Sequence, residues 1–147
     1  MDLAASIAEV LRRSRRPNSG EAAHIALGRR GEEIAARFLR KNGHRILYTN
    51  FRAPEGGEVD IVSRDKRHNE LVFTEVKTRT TEDFGAPSEA VDRKKQRLVL
   101  RGAMKWLRML DFPDITYRFD IVEVVIGPPL EVRHLENAFQ IPSNYLR

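Results

Sequence analysis

Two short stretches of this chain carry side chains suited to phosphate-ester chemistry. Glu58-Val59-Asp60 offers two carboxylates two residues apart, and Glu75-Val76-Lys77 offers a carboxylate and an amine at the same spacing. On a strand, residues two apart share a face. Glu58 would then lie beside Asp60 and Glu75 beside Lys77, with Val59 and Ile61 on the reverse of the first strand. Between the two stretches, Asp65-Lys66-Arg67-His68-Asn69 reads as a polar turn. A hairpin centred between Arg67 and His68 sets Asp60 opposite Glu75 and Glu58 opposite Lys77, on one patch. Facing carboxylates repel and raise each other's pKa. A hard divalent cation relieves that repulsion, and Mg²⁺ is commonly held by one or two carboxylates plus waters and phosphate oxygens. A lysine beside such a cation can position a water or neutralise developing phosphate charge.

Glu-x-Lys on a strand is ordinarily a solvated, salt-bridging face. Three features weigh against that here. Leu71-Val72-Phe73 and Val76 are apolar on both faces, as in a central strand, where charges are costly unless paired or bound. The partner stretch supplies acids rather than bases. Gly56-Gly57 leaves room for close backbone approach.

The elements that must position these groups follow from periodicity. A helix is expected over about Glu21 to Asn42, stopped by Gly43, with Leu27, Gly31, Ile34, Ala35, Phe38 and Leu39 on its buried stripe. Glu33 points away from that stripe, while Glu32 lies on its flank and can reach a sheet rim. Strands are expected over His44 to Arg52, Glu58 to Ser63, Leu71 to Thr78 and Tyr117 to Ile126, with an edge strand over Leu130 to Phe139. A second helix runs from Pro87 or Asp92 to Leu110. It buries Leu98, Val99, Ala103, Leu107 and Leu110, with Trp106 at the edge of the core. Its other faces carry Arg93, Lys94, Lys95, Arg97, Arg101, Lys105 and Arg108, a run of one sign that suits a phosphate backbone. The order α, β-meander, α, β implies an α/β fold: a mixed sheet flanked by helices.

The chain has 147 residues, so one domain is expected over 21–147, preceded by an N-terminal extension over 1–20. That extension reads as a short helix over 2–13 and a linker with Arg12, Arg13, Arg15 and Arg16. Hydrophobic residues at 41% and charged residues at 32% describe a globular chain, and 26 cations against 21 acids leave +5. With no cysteine, a disulfide scaffold, a thiolate metal site, an iron–sulfur cluster and a cysteine nucleophile are excluded. His24, His44, His68 and His134 contain no i, i+4 pair, so they give no zinc site. No GxGxxG or GxxxxGK[ST] occurs, and Ser19, Ser88 and Ser143 lack a nucleophile-elbow context. No window reaches the ~18 apolar residues of a membrane span. Asp2 and Glu9 spoil the first stretch as a signal peptide. A cytoplasmic protein without a membrane partner is expected.

Taken in order, Gly28-x-x-Gly31-Glu32, Asn50, Arg52, Gly57-Glu58-x-Asp60, Phe73 to Arg79 (FTEVKTR), Lys95-Gln96 and Arg118-Phe119-Asp120 resemble the YraN family of bacterial proteins. That family is similar to the PD-(D/E)xK, restriction-endonuclease-like superfamily, near the Holliday-junction resolvases. The likeness runs from about Gly28 to Val125. It implies a restriction-endonuclease-like fold and a metal-dependent endonuclease of DNA, including branched or junction DNA, with Mg²⁺ (or Mn²⁺) as cofactor. Asp60 and Glu75 would hold the metal with the Val76 carbonyl as a third ligand, Lys77 would be the catalytic lysine, and Glu32 would match the acid that resolvase-like members carry on their first helix. Val59 stands where the superfamily has its proline. Expected DNA contacts are Arg93, Lys94, Lys95, Gln96 and Arg97, with Arg52 and Arg79 of the motif strands. Resolvase-like relatives suggest a homodimer. The rival reading is a non-catalytic nucleic-acid-binding protein that keeps the fold.

Overall fold

The computed structural model describes residues 19–81 and 93–141. The expected helix over 2–13, the Arg12–Arg16 cluster and any helical turn before Arg93 lie outside the described residues. The elements are α1 (Ser19–Lys41), β1 (His44–Ala53), β2 (Gly57–Asp65), β3 (Glu70–Arg79), α2 (Arg93–Met109), β4 (Tyr117–Val125) and β5 (Glu131–Phe139). α1 thus begins two residues before the expected Glu21 and takes in Ser19 and Gly20, read from sequence as linker. In a first helical turn most amides lack an intrahelical acceptor anyway, so a glycine costs little there, and Glu21 favours the positive end of the helix.

The five strands form one sheet in the order β1-β2-β3-β4-β5. β3 runs parallel to β4, and the other neighbours are antiparallel. The parallel pair follows from the crossover through α2. The result is the expected α/β architecture, a mixed sheet with a helix on each face, consistent with a restriction-endonuclease-like fold. On one face Ala35, Ala36 and Leu39 of α1 pack on Ile61, Val76, Val122 and Val124. On the other Val99, Leu100, Ala103 and Leu107 of α2 pack on Phe51, Val59, Val62, Leu71, Phe73 and Phe119. Each such side chain contributes roughly 1.5–3 kcal/mol by leaving water. Trp106 joins this second core against Phe51 and Tyr48, at ring separations of 5.4 and 5.6 Å, as expected of it.

Val59 and Ile61 were expected on one face and lie in different cores. Strict alternation therefore fails at Asp60. The neighbouring strand yields at the same level: Asn50, flanked by the Thr49–Ile61 and Phe51–Val59 pairs, has φ 55°. Asparagine tolerates this left-handed backbone better than most residues.

Two close approaches fix the layers. A Cβ on Gly31 would fall 1.8 Å from the Thr78 hydroxyl, so α1 sits on β3 at a distance only glycine allows. A Cβ on Gly57 would meet the Gly102 nitrogen at 2.4 Å, and one on Gly102 would meet the Glu58 backbone at 2.9 Å. There α2 touches β2 backbone to backbone.

At the turn end of the β2–β3 hairpin a buried charge network ties β2, β4 and β5 together. Arg118 donates to Asp65 at 3.0 Å and to both oxygens of Asp120 at 3.0 and 3.1 Å. Asp120 also accepts from the Asn137 N–H at 2.9 Å and contacts His134 at 2.7 Å. Asp65 accepts from the Arg67 N–H at 3.0 Å, and His44 contacts Ser63 at 2.9 Å. Burial pushes Asp65 and Asp120 up. The bonds from Arg67 and Arg118 at Asp65, and from His134 and Arg118 at Asp120, outweigh it and hold both below the usual carboxylate range.

Candidate active site

The β2–β3 ladder runs from Asp65–Glu70 to Ile61–Thr74 in the register the turn implied. It stops one residue short of Asp60 and Glu75. Beyond that point the Asp60 carboxylate accepts a hydrogen bond from the Val76 N–H at 2.8 Å. The strands part where the first acid is reached, and its side chain replaces the missing backbone contact. Asp60 is thereby held near Glu75, close enough for the Asp60 charge to act on the Glu75 carboxyl group.

The remaining groups close in from three elements. Glu32 of α1 is half-buried, and Glu33 is exposed, as their helical positions required. Glu32, Glu75, Val76, Lys77 and Lys95 line one cleft of ≈ 430 Å³, with Gly28 and Thr78 in its wall. The Gly31–Thr78 approach brings Glu32 down to this cleft. Lys95 of α2 forms an ion pair with Glu58 and lies 3.5 Å from Glu75. Lys77 lines the cleft and has no ion pair or hydrogen bond among the described residues.

Burial and crowding of like charge govern the electrostatics. Glu75 is 5% exposed, and burial followed by the Asp60 charge pushes its pKa up to about 9. Burial likewise pushes Asp60 up, against the Val76 hydrogen bond. Glu32 is pushed up to about 7, again by burial first and the Asp60 charge second. Burial works against the Lys95 ammonium, but Glu58 and Glu75 raise its pKa on balance. Glu75 Oε2 is buried with no hydrogen-bond partner.

The structure thus gathers Glu32, Glu75, Val76 and Lys77 around one cleft, with Asp60 held beside it by the Val76 N–H. What it gives of Val76 toward Asp60 is the N–H. The expected Glu58–Lys77 pairing does not form, because the ladder has ended. Glu58 turns instead to Arg52, at 3.2 Å, and to Lys95. Two expected DNA contacts therefore sit elsewhere: Lys95 is inside the acid cluster, and Arg52 is paired with Glu58. Arg93, Lys94 and Arg97 are exposed on α2. Gln96 and Arg79 each already interact within the chain. Sequence reasoning put Glu58 on this patch but paired it with Lys77, and it expected Lys95 among the DNA contacts rather than beside the acids. The available signal was Gly102, whose lack of a side chain lets α2 lie on β2.

Among the described residues no helix is long and apolar enough to cross a membrane. A family model described as uncharacterised protein family UPF0102 matches residues 31–124, a span that includes Glu32, Asp60, Glu75, Lys77 and Lys95. A UPF0102 protein of Geobacter sulfurreducens is 43% identical over 83% of this chain and 96% of its own length. One from Caldanaerobacter subterraneus is 43% identical over 77% of this chain and 93% of its own. Another from Syntrophotalea carbinolica is 45% identical over 80% and 94%.

Proposed function

This chain belongs to the UPF0102 (YraN) family, and we propose that it is a metal-dependent endonuclease hydrolysing DNA phosphodiester bonds, with branched or junction DNA among its substrates. The observation that carries the reading is the Asp60–Glu75 pair: a half-buried and a buried carboxyl group whose charges act on each other, with one Glu75 oxygen buried and unpartnered among the described residues. Such a pair is costly unless a cation balances it. The donor set fits a hard divalent ion, with Asp60, Glu75 and Glu32 as the acids that would hold Mg²⁺ or Mn²⁺ and the Val76 carbonyl beside them. When bound, the ion supplies Lewis-acid polarisation of the phosphate and water activation.

The chain's own residues do the rest. The Val76 N–H fixes the Asp60 carboxylate, so one acid is oriented before any ligand arrives. Lys77 lines the same cleft and has no partner among the described residues, so it can hold a phosphate oxygen and orient the attacking water. Lys95 spreads one positive charge over Glu58 and Glu75 and keeps the acids from repelling an incoming phosphate.

The test is cleavage of linear, flapped and four-way DNA with Mg²⁺ or Mn²⁺ against EDTA. Lys77→Ala should abolish cleavage and leave folding intact, since it has no ion pair or hydrogen bond among the described residues to lose. Asp60→Asn and Glu75→Gln should lose cleavage and metal affinity together, and Glu32→Gln should be intermediate. One observation favours the second reading, a non-catalytic nucleic-acid-binding protein. Among the described residues no three His, Cys, Asp or Glu groups stand together as a ready metal cage. That reading wins if purified protein binds DNA and cuts none of these substrates.

A further inference from the structure

α2 carries seven cations and no acid between Arg93 and Met109. They are not spread at random. Arg93, Arg97, Arg101 and Lys105 follow one another at i, i+4 spacing, and Arg108 falls beside them on the same face. Side chains four apart form a single ridge on a helix surface. At about 1.5 Å per residue the ridge is ~22 Å long. The opposite face of the helix is spent on the core, through Val99, Leu100, Ala103 and Leu107. Lys95 points to neither face but into the acid cleft. None of the five ridge cations has an ion pair or hydrogen bond among the described residues. Arg93 and Arg97 edge one groove of the surface and Arg101, Lys105 and Arg108 another, and none lines the acid cleft.

The contrast with α1 is informative. Its outward face interleaves signs, with Glu33 one turn before Arg37, as solvated helices normally do. Among the described residues, no acid pairs with the ridge cations of α2 to offset their repulsion. Lys94 adds to it from the same side. A row of like charges at fixed spacing is stabilised by an anion that also repeats.

We propose that the outer face of α2 is a backbone-tracking surface for a polynucleotide, seated on Arg93, Arg97, Arg101, Lys105 and Arg108 and leading to the acid cleft at the N-terminal end of the helix. This deepens the proposed function and rests on its nucleic-acid half, not on cleavage. A polynucleotide strand repeats its charge about every 3.4 Å along a duplex axis, so each ridge cation finds a phosphate within side-chain reach. An anionic membrane fits poorly: an interfacial helix needs its apolar face free, and here that face is buried in the core. Because the cleft lies at one end of the ridge, the strand is gripped mainly on one side of the acids.

The experiment is fluorescence anisotropy of a labelled DNA duplex with full-length protein in EDTA, from ~50 to ~200 mM salt. One variant carries Arg97→Gln, Arg101→Gln and Lys105→Gln. A control of equal net charge carries Arg30→Gln, Arg37→Gln and Arg40→Gln on the exposed face of α1. The ridge variant should lower the slope of log affinity against log salt by about two units, since each lost phosphate contact removes ~0.7–0.9. The control should keep the wild-type slope. Five of the six positions are exposed and Lys105 is half-buried, and unchanged melting curves confirm folding. Equal losses in both variants, a ridge variant that binds as wild type, or phosphatidylglycerol vesicles that compete as well as DNA would each overturn the proposal. Cleavage is scored separately with Mg²⁺. Ridge-dependent binding without cleavage removes the nuclease reading alone, and cleavage with ridge-independent binding removes the ridge alone.

Discussion

Two buried charge clusters sit at opposite ends of the β2–β3 hairpin and resolve the same problem in opposite ways. At the turn end, Asp65 and Asp120 each receive Arg118 and a backbone N–H, and both are held as carboxylates. At the open end, Asp60 and Glu75 have one backbone N–H and each other, with Lys95 at 3.5 Å from Glu75, and both are pushed toward the protonated form. Asp65, Asp120 and Glu75 are buried and Asp60 is half-buried, but the larger difference is in donor count. A network whose acceptors are all met holds strands together. One whose acceptors outnumber its donors holds an unmet demand for positive charge.

The largest expected effect is on the satisfied cluster. Arg118→Met should cost about 3–5 kcal/mol in urea denaturation, because it strands Asp65 and Asp120 as buried charges. Glu75→Gln should instead leave the metal-free protein as stable as wild type at neutral pH or more so, since it removes an acid whose pKa is pushed up to about 9, and Lys95 keeps its ion pair with Glu58. If both changes destabilise alike, the two clusters are of one kind.

Divalent ions sharpen the same contrast. Mg²⁺ or Mn²⁺ should raise the melting temperature in a concentration-dependent way, the stabilisation reaching about 2.7 kcal/mol at a hundredfold excess over Kd. The rise should vanish in Asp60→Asn and persist in Asp120→Asn.

The pH dependence should have two limbs of opposite sign. Asp65 and Asp120 have depressed folded pKa values, so their stabilisation is present above the ordinary carboxylate range, and it is lost as pH falls through the folded values. Glu75 has a raised folded pKa, so its contribution is full below about 4.5 and lost as pH rises toward about 9. In metal-free protein, Glu75→Gln should flatten the alkaline limb and spare the acid limb, as read from denaturation midpoints across pH.

The smallest effect is at the rim. Arg52 pairs with Glu58 at 3.2 Å from an exposed position. Arg52→Ala should change stability by less than about 1 kcal/mol. A larger loss would mean that the open end, too, depends on its salt bridges for folding.

The clusters were not equally legible from sequence. Asp60 and Glu75 could be brought together because one turn joins their strands, and the turn centre alone sets the register. Glu32 could be placed because helical periodicity put it on the flank of a buried stripe. The strand spans followed from apolar runs such as Leu71-Val72-Phe73, and the helix on each face followed from its stripe. The Arg118 network draws on β2, β4 and β5, so it depends on a parallel pairing that no local pattern encodes. Arg118-x-Asp120 in an apolar strand was its only trace. The position of Lys95 beside Glu58 and Glu75 was hidden for a related reason. Its direction depends on how α2 is rotated on the sheet, and that rotation is set by a tertiary contact between two glycines. Val59 and Ile61 were set on one face because strict alternation was carried through Asp60, where the strands diverge.

The Gly57–Gly102 contact has a mechanical consequence. Where side chains separate a helix from a sheet, rotamers absorb small displacements, and a methyl group added at one point is damped within a few ångströms. Between Gly57 and Gly102 there is no such cushion. α2 rests there on β2 as a beam rests on a fulcrum, with Lys95 and the acid cleft on one arm and Lys105 and Arg108 on the other. A single added carbon at the fulcrum must lift or tilt the whole beam, which moves the group that neutralises the acids and the row of surface cations in one stroke.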